Sequence, residues 1–386
     1  MCKYKSIMLL LIGFIGCVEP YDFEVGGTVE VLVVEAEFSN QQESHRVMLS
    51  ISRGLDNDVI SPVSGAAISI IEDETEEINL TEIESGIYET SPSVAGKVGS
   101  IYRLSIKLKD GSTFQSSSEI LSNPVPIDSV WGRYLELPSE EEDGLIQGVQ
   151  LFVDTHDFNS EASYFRYEYQ EDYQVKAAFP SLLEWNNDTE TYGPRDFPIG
   201  TCYEQANSQG LLITTTSGLS ENRLSEFPIR MIQQKDPELR GKYAIVLKQF
   251  AISENGYRYY KNLRENNESA GSFFDKQKGT IPGNISSVDS SMPVLGYFEV
   301  AGLSTDTAFF HSSNFRDQGF KPDQFSAGDC LGSGILEVSI GELNNQIMQG
   351  NNLIYVDVLS GVAALATIPC SDCRVHADIK KPEYWD

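Results

Sequence analysis

Thr28-Val29-Glu30-Val31-Leu32-Val33-Val34-Glu35-Ala36-Glu37-Phe38 alternates at period two. Val29, Val31 and Val33 share one face of an extended chain, and Leu32, Val34, Ala36 and Phe38 share the other. Successive side chains of a strand point to opposite faces, so apolar residues on both sides predict a central strand. The same period runs on through Val47-Leu49-Ile51, Ala66-Ile68-Ile70, Ile78-Leu80, Tyr88-Thr90, Tyr102-Leu104-Ile106-Leu108 and Phe114. Turn signals separate these runs: Gly54-Leu55-Asp56-Asn57-Asp58, Glu84-Ser85-Gly86 and the hairpin pair Asp110-Gly111. About seven short strands in about 90 residues is the pattern of an immunoglobulin-like sandwich. The acidic run Glu72-Asp73-Glu74-Thr75-Glu76-Glu77 falls between strands and reads as a solvated hairpin tip. Asp56 and Asp58 lack the Asp-x-Asp-x-Asp-Gly pattern of a calcium loop.

Upstream of the first strand the pattern changes. Lys3 and Lys5 precede an apolar run from Ile7 to Ile15, then Gly16 and Cys17. A basic start and a short apolar run make a secretory signal. The run is far shorter than the ~20 apolar residues a membrane helix needs. A small residue directly before a cysteine at its end resembles the lipobox of bacterial lipoproteins, which implies cleavage before Cys17 and its acylation. Residues 1–16 are then the signal peptide. Residues 17–27, with Glu19, Asp22 and Glu24, are an acidic tether to the bilayer. Two or more acyl chains anchor stably where one anchors marginally.

The 386 residues carry 28 basic and 57 acidic side chains, a net charge of −29. A field of that sign repels phosphate backbones and argues against a nucleic-acid partner. Of six cysteines, Cys2 leaves with the signal and Cys17 takes lipid. Cys202, Cys330, Cys370 and Cys373 remain, an even number for an exported chain. Two disulfides are expected, with three possible connectivities. Because Cys202 and Cys330 are far apart in sequence, at least one bridge is expected to tie the C-terminal tail back to the body. The alternatives are a four-cysteine zinc site or a redox Cys370-Ser371-Asp372-Cys373. The first usually needs two close pairs, and the second needs a strand-to-helix setting.

Asn123-Pro124-Val125-Pro126-Ile127-Asp128 interrupts the strand pattern as an extended linker. It divides a sandwich over 28–122 from a larger, irregular β-rich domain over 123–386. In that second domain Phe165, Tyr167 and Tyr169 alternate with Arg166 and Glu168, a half-buried strand with an aromatic face. Further strands are expected near 211–216, 228–233, 243–250, 294–300, 307–311, 335–340 and 353–358. Residues 178–210 read as a long loop. Ser253 can cap a helix over 253–267, in which Tyr257, Tyr260, Leu263 and Arg264 recur at helical spacing. The fold class expected is all-β, an immunoglobulin-like sandwich followed by a larger irregular one with a helical insertion.

Chemistry is sparse. There is no His-Glu-x-x-His, no Gly-x-Ser-x-Gly, no phosphate-binding glycine loop. The histidines are His45, His156, His311 and His376. His156 lies beside Asp154 and Asp157, but 154 and 156 share a strand face that 157 does not, so the group reads as surface charge. His376, three residues after Cys373, is a minority metal candidate. No catalytic residue, metal site or cofactor is assigned. The aromatic loop with Trp185 and Tyr192, together with Phe273 and Phe274, is the candidate binding face.

Several motifs occur in order along the chain. They are the lipobox with its acidic tether, Leu32-Val33-Val34-Glu35, Pro62-Val63-Ser64-Gly65-Ala66 with Gly86-Ile87-Tyr88, and Asp110-Gly111. Pro126-Ile127-Asp128-Ser129-Val130, Ile281-Pro282-Gly283-Asn284-Ile285, Leu295-Gly296-Tyr297-Phe298, and Cys370-Ser371-Asp372-Cys373 with Pro382-Glu383-Tyr384-Trp385 complete the set. Together they resemble the Bacteroidota lipoprotein family called domain of unknown function 4249. The tail departs from it at Val375-His376-Ala377-Asp378, where a glycine-rich stretch is expected. The resemblance implies an immunoglobulin-like or transthyretin-like first domain. It also implies an outer-membrane lipoprotein, often facing the cell exterior, whose relatives are encoded beside TonB-dependent receptors. It supplies no catalytic residues. The expectation is a non-enzymatic binding or gating subunit of a TonB-dependent transporter in nutrient capture. A structural or adhesive surface protein and a hydrolase with an unrecognised site are the alternatives. A deep pocket lined by polar and aromatic groups favours capture; a flat face favours adhesion or docking to another protein.

Overall fold

In the computed structural model the described residues are 30–53, 61–138, 144–159, 162–186, 188–189, 191–269, 281–322, 330, 336–339, 342–343, 353–359 and 362–385. The signal peptide, Cys17 and the acidic tether, the Asp56–Asp58 turn, and Phe273-Phe274 lie outside them.

The first part of the chain forms β1 (Glu30–Ser39), β2 (Arg46–Arg53), β3 (Ser61–Pro62), β4 (Ala67–Glu72), β5 (Glu76–Asn79), β6 (Thr81–Glu84), β7 (Ile87–Glu89), β8 (Ile101–Lys107), β9 (Thr113–Ser116) and β10 (Glu119–Ile120). After the linker come β11 (Ile127–Pro138), β12 (Leu145–His156), β13 (Tyr164–Lys176), β14 (Leu183–Asn186), β15 (Thr191–Pro194), β16 (Thr201–Asn207), β17 (Leu212–Thr215), β18 (Arg223–Gln233) and β19 (Tyr243–Ala251). Helix α1 (Glu254–Ser269) follows, then β20 (Ile285–Ser287) and β21 (Val294–Phe310). The tail adds β22 (Leu336–Ser339), β23 (Leu353–Leu359), β24 (Val362–Thr367) and the short helix α2 (Ile368–Ser371).

One large sheet runs through the molecule in the order β16-β13-β19-β21-β1-β2-β7-β6, with β17 on β13 and β3 on β2. A second sheet, β20-β9-β8-β4-β5 with β10 on β8, covers its β1 end. A third, β11-β12-β18, covers its β13 end. The protein is therefore all-β, two sandwiches with one sheet in common. β1 is central, between β21 and β2, as its alternation requires. Leu32, Val34 and Phe38 point into the first core with Leu49, Ile70, Tyr102, Leu104 and Phe114. The second core joins Phe165, Tyr167, Tyr243 and Leu247 to Val149, Leu151 and Val153.

β21 joins the two halves. Its Val294–Ala301 portion pairs in parallel with Leu32–Ser39 of β1. Its Gly302–Phe310 portion pairs antiparallel with β19. At about 3.3 Å per residue, this 17-residue strand spans about 55 Å. The change of partner falls at Gly302, where a Cβ would come within 2.4 Å of the Ser122 carbonyl and 2.6 Å of the Pro124 nitrogen. The extended linker crosses the splice strand at that point, and glycine leaves it room. Residues 285–301 thus return to the first sandwich, and Ile285, Phe298 and Val300 complete its core. The expected division at 122/123 does not separate two sheets, because the first sandwich also needs strands from residues 285–301.

The motifs quoted above have structural roles. Tyr88 is buried, its hydroxyl donating to the Val63 carbonyl at 2.8 Å and accepting from the Ala66 amide at 2.9 Å. Asn284 bridges β20 to β21: its Oδ1 accepts from the Phe298 amide at 2.8 Å and its Nδ2 donates to the Phe298 carbonyl at 3.0 Å. Gly296, with φ of 120°, brings β21 so close to β1 that a Cβ would sit 1.8 Å from the Val34 carbonyl oxygen. Helix α1 starts where Ser253 Oγ accepts from the Gly256 amide at 3.1 Å. One expectation is corrected: residues 178–210 are not a structureless loop but hold the β14–β15 hairpin and β16. The acidic run is a hairpin tip with residues 73–77 exposed, as expected, and only Glu72 at its base differs: it is 5% exposed and pairs with Lys97 at 3.1 Å, which lets a carboxylate sit at the sandwich edge.

Candidate functional site

The large sheet turns one face to the two cores and the other outward. On β13 the alternation that sends Phe165 and Tyr167 inward sends Arg166 and Glu168 outward. On β1 it presents Glu35 and Glu37, which register opposite Tyr297 and Glu299 of β21. On β19 it presents Lys248 and Phe250, opposite Glu168 and Arg166. Helix α1 lies over part of this face, packing Tyr257 and Tyr260 on Phe250, Ala301 and Leu303.

Arg166 is the centre of the arrangement and is only 5% exposed. Its Nε donates to both Glu299 oxygens at 3.1 and 3.0 Å. Its Nη2 reaches Glu299 and Glu37, each at 2.6 Å, and its Nη1 reaches Glu168. The guanidinium lies 4.0 Å from the Phe250 ring centroid and 5.4 Å from that of Tyr260. One side chain therefore gathers β1, β13, β19, β21 and α1. Burial opposes its charge, but Glu299, with Tyr260, Glu37 and Glu168, holds it well above the ordinary range.

Three carboxylates share that one guanidinium. Glu299 is buried beneath it, while the Glu37 and Glu168 side chains keep 38% and 46% of their surface exposed. Packing around Glu37 pushes its carboxyl up to about 7 against the pull of Arg166, with Glu299 and Glu168 adding repulsion. The folded state thus holds a proton on Glu37 more tightly than the unfolded chain does. Its contribution is favourable below the ordinary value of 4.5 and is lost as pH rises through about 7. Glu37→Gln is expected to leave the urea midpoint unchanged at pH 4 and raise it at pH 8. Equal midpoint shifts at both pH values would contradict this assignment.

The outward face is hollowed beside α1. A cleft of about 820 Å³ is lined by Glu35, Glu37, Glu43, Arg46, Glu168, Lys248, Tyr259, Tyr260 and Tyr297, among others. Tyr259 stacks on Tyr297 at 5.0 Å, and the Tyr297 hydroxyl donates to Glu119 at 2.9 Å. A second cavity of about 420 Å³ shares Arg166, Glu168, Leu211 and Lys248 with the first. It continues over Tyr169, Gln170, Asn207, Ser208 and Gln209. The two make one trough across the strands.

The residues singled out in the sequence lie elsewhere. Trp185 and Tyr192 are register partners on the β14–β15 hairpin, which lies against β23 and not at the trough. Their side chains fall outside the described ones. The four late cysteines form two disulfides, Cys202–Cys373 and Cys330–Cys370. The close pair 370/373 is split between them, so the motif is neither a redox pair nor a zinc knuckle. The three residues around His156 turn to separate partners. Asp154 accepts from Trp131 Nε1 at 2.8 Å, Asp157 accepts from the Ala162 amide at 2.8 Å, and His156 Nδ1 meets Arg223 at 2.8 Å. His376 Nε2 instead meets the Pro369 carbonyl at 2.9 Å. The sequence reading missed Arg166, Glu37 and Glu299. Their signal was the charge left on the outward face of strands flanked by core residues.

No curated protein matches the chain. The family model described as Domain of unknown function (DUF4249) matches residues 18–307, which include every residue lining the trough and end before the disulfide-bonded tail. With three quarters of its length so matched, the chain belongs to the DUF4249 family.

Proposed function

We propose that this protein is a lipid-anchored outer-membrane lipoprotein, facing the cell exterior, that serves a TonB-dependent transporter as a non-enzymatic capture or gating subunit. The trough is the observation that carries the reading. The exposed face of the shared sheet is hollowed and lined by tyrosines and carboxylates. Pockets that take ligands are concave and place a few polar groups among apolar and aromatic ones, whereas an adhesive sandwich needs no such hollow. The signal run, Cys17 and the acidic tether supply the anchor and the address.

The test is to extract the intact lipoprotein from its native membrane in mild detergent, through an affinity tag at the C-terminus. Co-elution of an outer-membrane β-barrel of the transporter type in a stable complex is expected. A solitary monomer, with Cys17 unacylated by mass spectrometry, would contradict the reading.

A further inference from the structure

We infer that the trough takes a short basic peptide in extended form, a deepening that rests on the capture reading of the same site. Its length is the first argument. The trough runs over β2, β1, β21, β19 and β13, from Arg46 and Met48 to the 207–211 segment. Strands lie about 4.8 Å apart, so these five span about 19 Å, the length of about six extended residues at about 3.3 Å each.

Charge is the second argument. Glu35, Glu43, Glu168 and the underlying Glu299, with Glu37 partly ionised near neutral pH, outnumber Arg46, Arg166 and Lys248. Two of the three cations are also engaged: Arg46 pairs with Glu89 at 2.7 Å, and Arg166 already donates to three carboxylates. An anionic ligand meets excess negative charge here. An ammonium or guanidinium group meets the open sides of Glu37 and Glu168, beside the tyrosine wall of α1 and Tyr297.

The second cavity selects peptide over a simple polyamine. Gln170, Asn207 and Gln209 line it. Each carries both an amide donor and an acceptor, which match the alternating N–H and C=O groups of a peptide; Gln170 already gives one N–H to Asp172 at 2.9 Å and keeps its carbonyl and second N–H. A polyamine has no carbonyls to offer them.

The experiment titrates intact, detergent-solubilised lipoprotein by calorimetry. The probes are acetyl-Lys-Ala-Lys-Ala-Lys-amide, its Gln-substituted and Glu-substituted analogues, spermine and maltohexaose. The lysine peptide is expected to bind at least tenfold more tightly than any other probe. Glu168→Gln and Glu35→Gln are each expected to weaken it about two- to fivefold, the scale of one partly exposed ion pair. Glu226→Gln removes the same charge from the opposite side of the second sandwich and is expected to leave binding unchanged. Thermal midpoints of the variants separate lost contacts from lost folding. Equal or tighter spermine binding overturns the peptide assignment. Tighter binding of the neutral peptide, the acidic peptide or the sugar, sensitive to Glu168→Gln, overturns the basic ligand class and leaves capture standing. No binding by any probe overturns the peptide assignment and leaves the capture reading to the co-elution test.

Discussion

Arg166→Met is expected to cost about 3–5 kcal/mol of folding stability, the scale of breaking a buried ion pair by removing one partner. The loss comes from what stays behind. Glu299 is 2% exposed and takes three hydrogen bonds from Arg166 through Nε and Nη2, with the Tyr260 hydroxyl beside it. Without the guanidinium, a buried carboxylate has no cation, and Glu37 and Glu168 face it with like charge. The double variant Arg166→Met, Glu299→Met is expected to recover most of the loss, because an apolar pair of similar volume avoids the desolvation of both ions. Equilibrium urea unfolding reads both. A single variant within 1 kcal/mol of the parent, or a double variant no better than the single, would show that the network is not the pin of the splice.

The second large effect belongs to the tail. Cys202–Cys373 closes a span of 171 residues and fixes the last segment to β16. Around it, the Tyr203 amide donates to the Asp378 carbonyl at 2.6 Å. Trp385 is 3% exposed, edge-on to Tyr203 and Phe309, with Lys242 Nζ at 5.2 Å from its ring. Tyr384 donates to Asp172 on β13. Replacing Cys202 and Cys373 together by serine is expected to cost about 2–5 kcal/mol. It also frees the tail from the edge of the large sheet. Limited proteolysis is expected to cut the variant after the 373 region while the parent resists. Unchanged stability and an uncut tail would mean that the aromatic clasp holds the tail without the bridge.

Much of the fold is legible in the residues. The alternation from Leu32 to Phe38 marks β1 as central. Ser253 and the tyrosine spacing mark α1, and the even cysteine count marks two bridges. Each is a local signal or a count. What escaped is what depends on distant pairing. Nothing in Val294–Ala301 says that it will lie in parallel beside Leu32–Ser39, more than 260 residues earlier. Pro124 and Pro126 do mark an extended segment, but that segment crosses β21 at Gly302 instead of separating two bodies. The site escaped for the same reason. A charge alternating with core residues is ordinarily solvated. Arg166 is buried because β21 brings Glu299 and α1 brings Tyr260 over it. The exposed-looking aromatic loop drew attention instead, and its hairpin belongs to the tail region.

The central claim is that β21 splices the two sandwiches into one cooperative body and thereby builds the trough. Differential scanning calorimetry of the oxidised protein tests it most directly. One transition is predicted, with calorimetric and van't Hoff enthalpies equal, and Arg166→Met is predicted to shift it as a whole. Two resolved transitions, one of them unmoved by Arg166→Met and assignable to residues 28–122 alone, would contradict it.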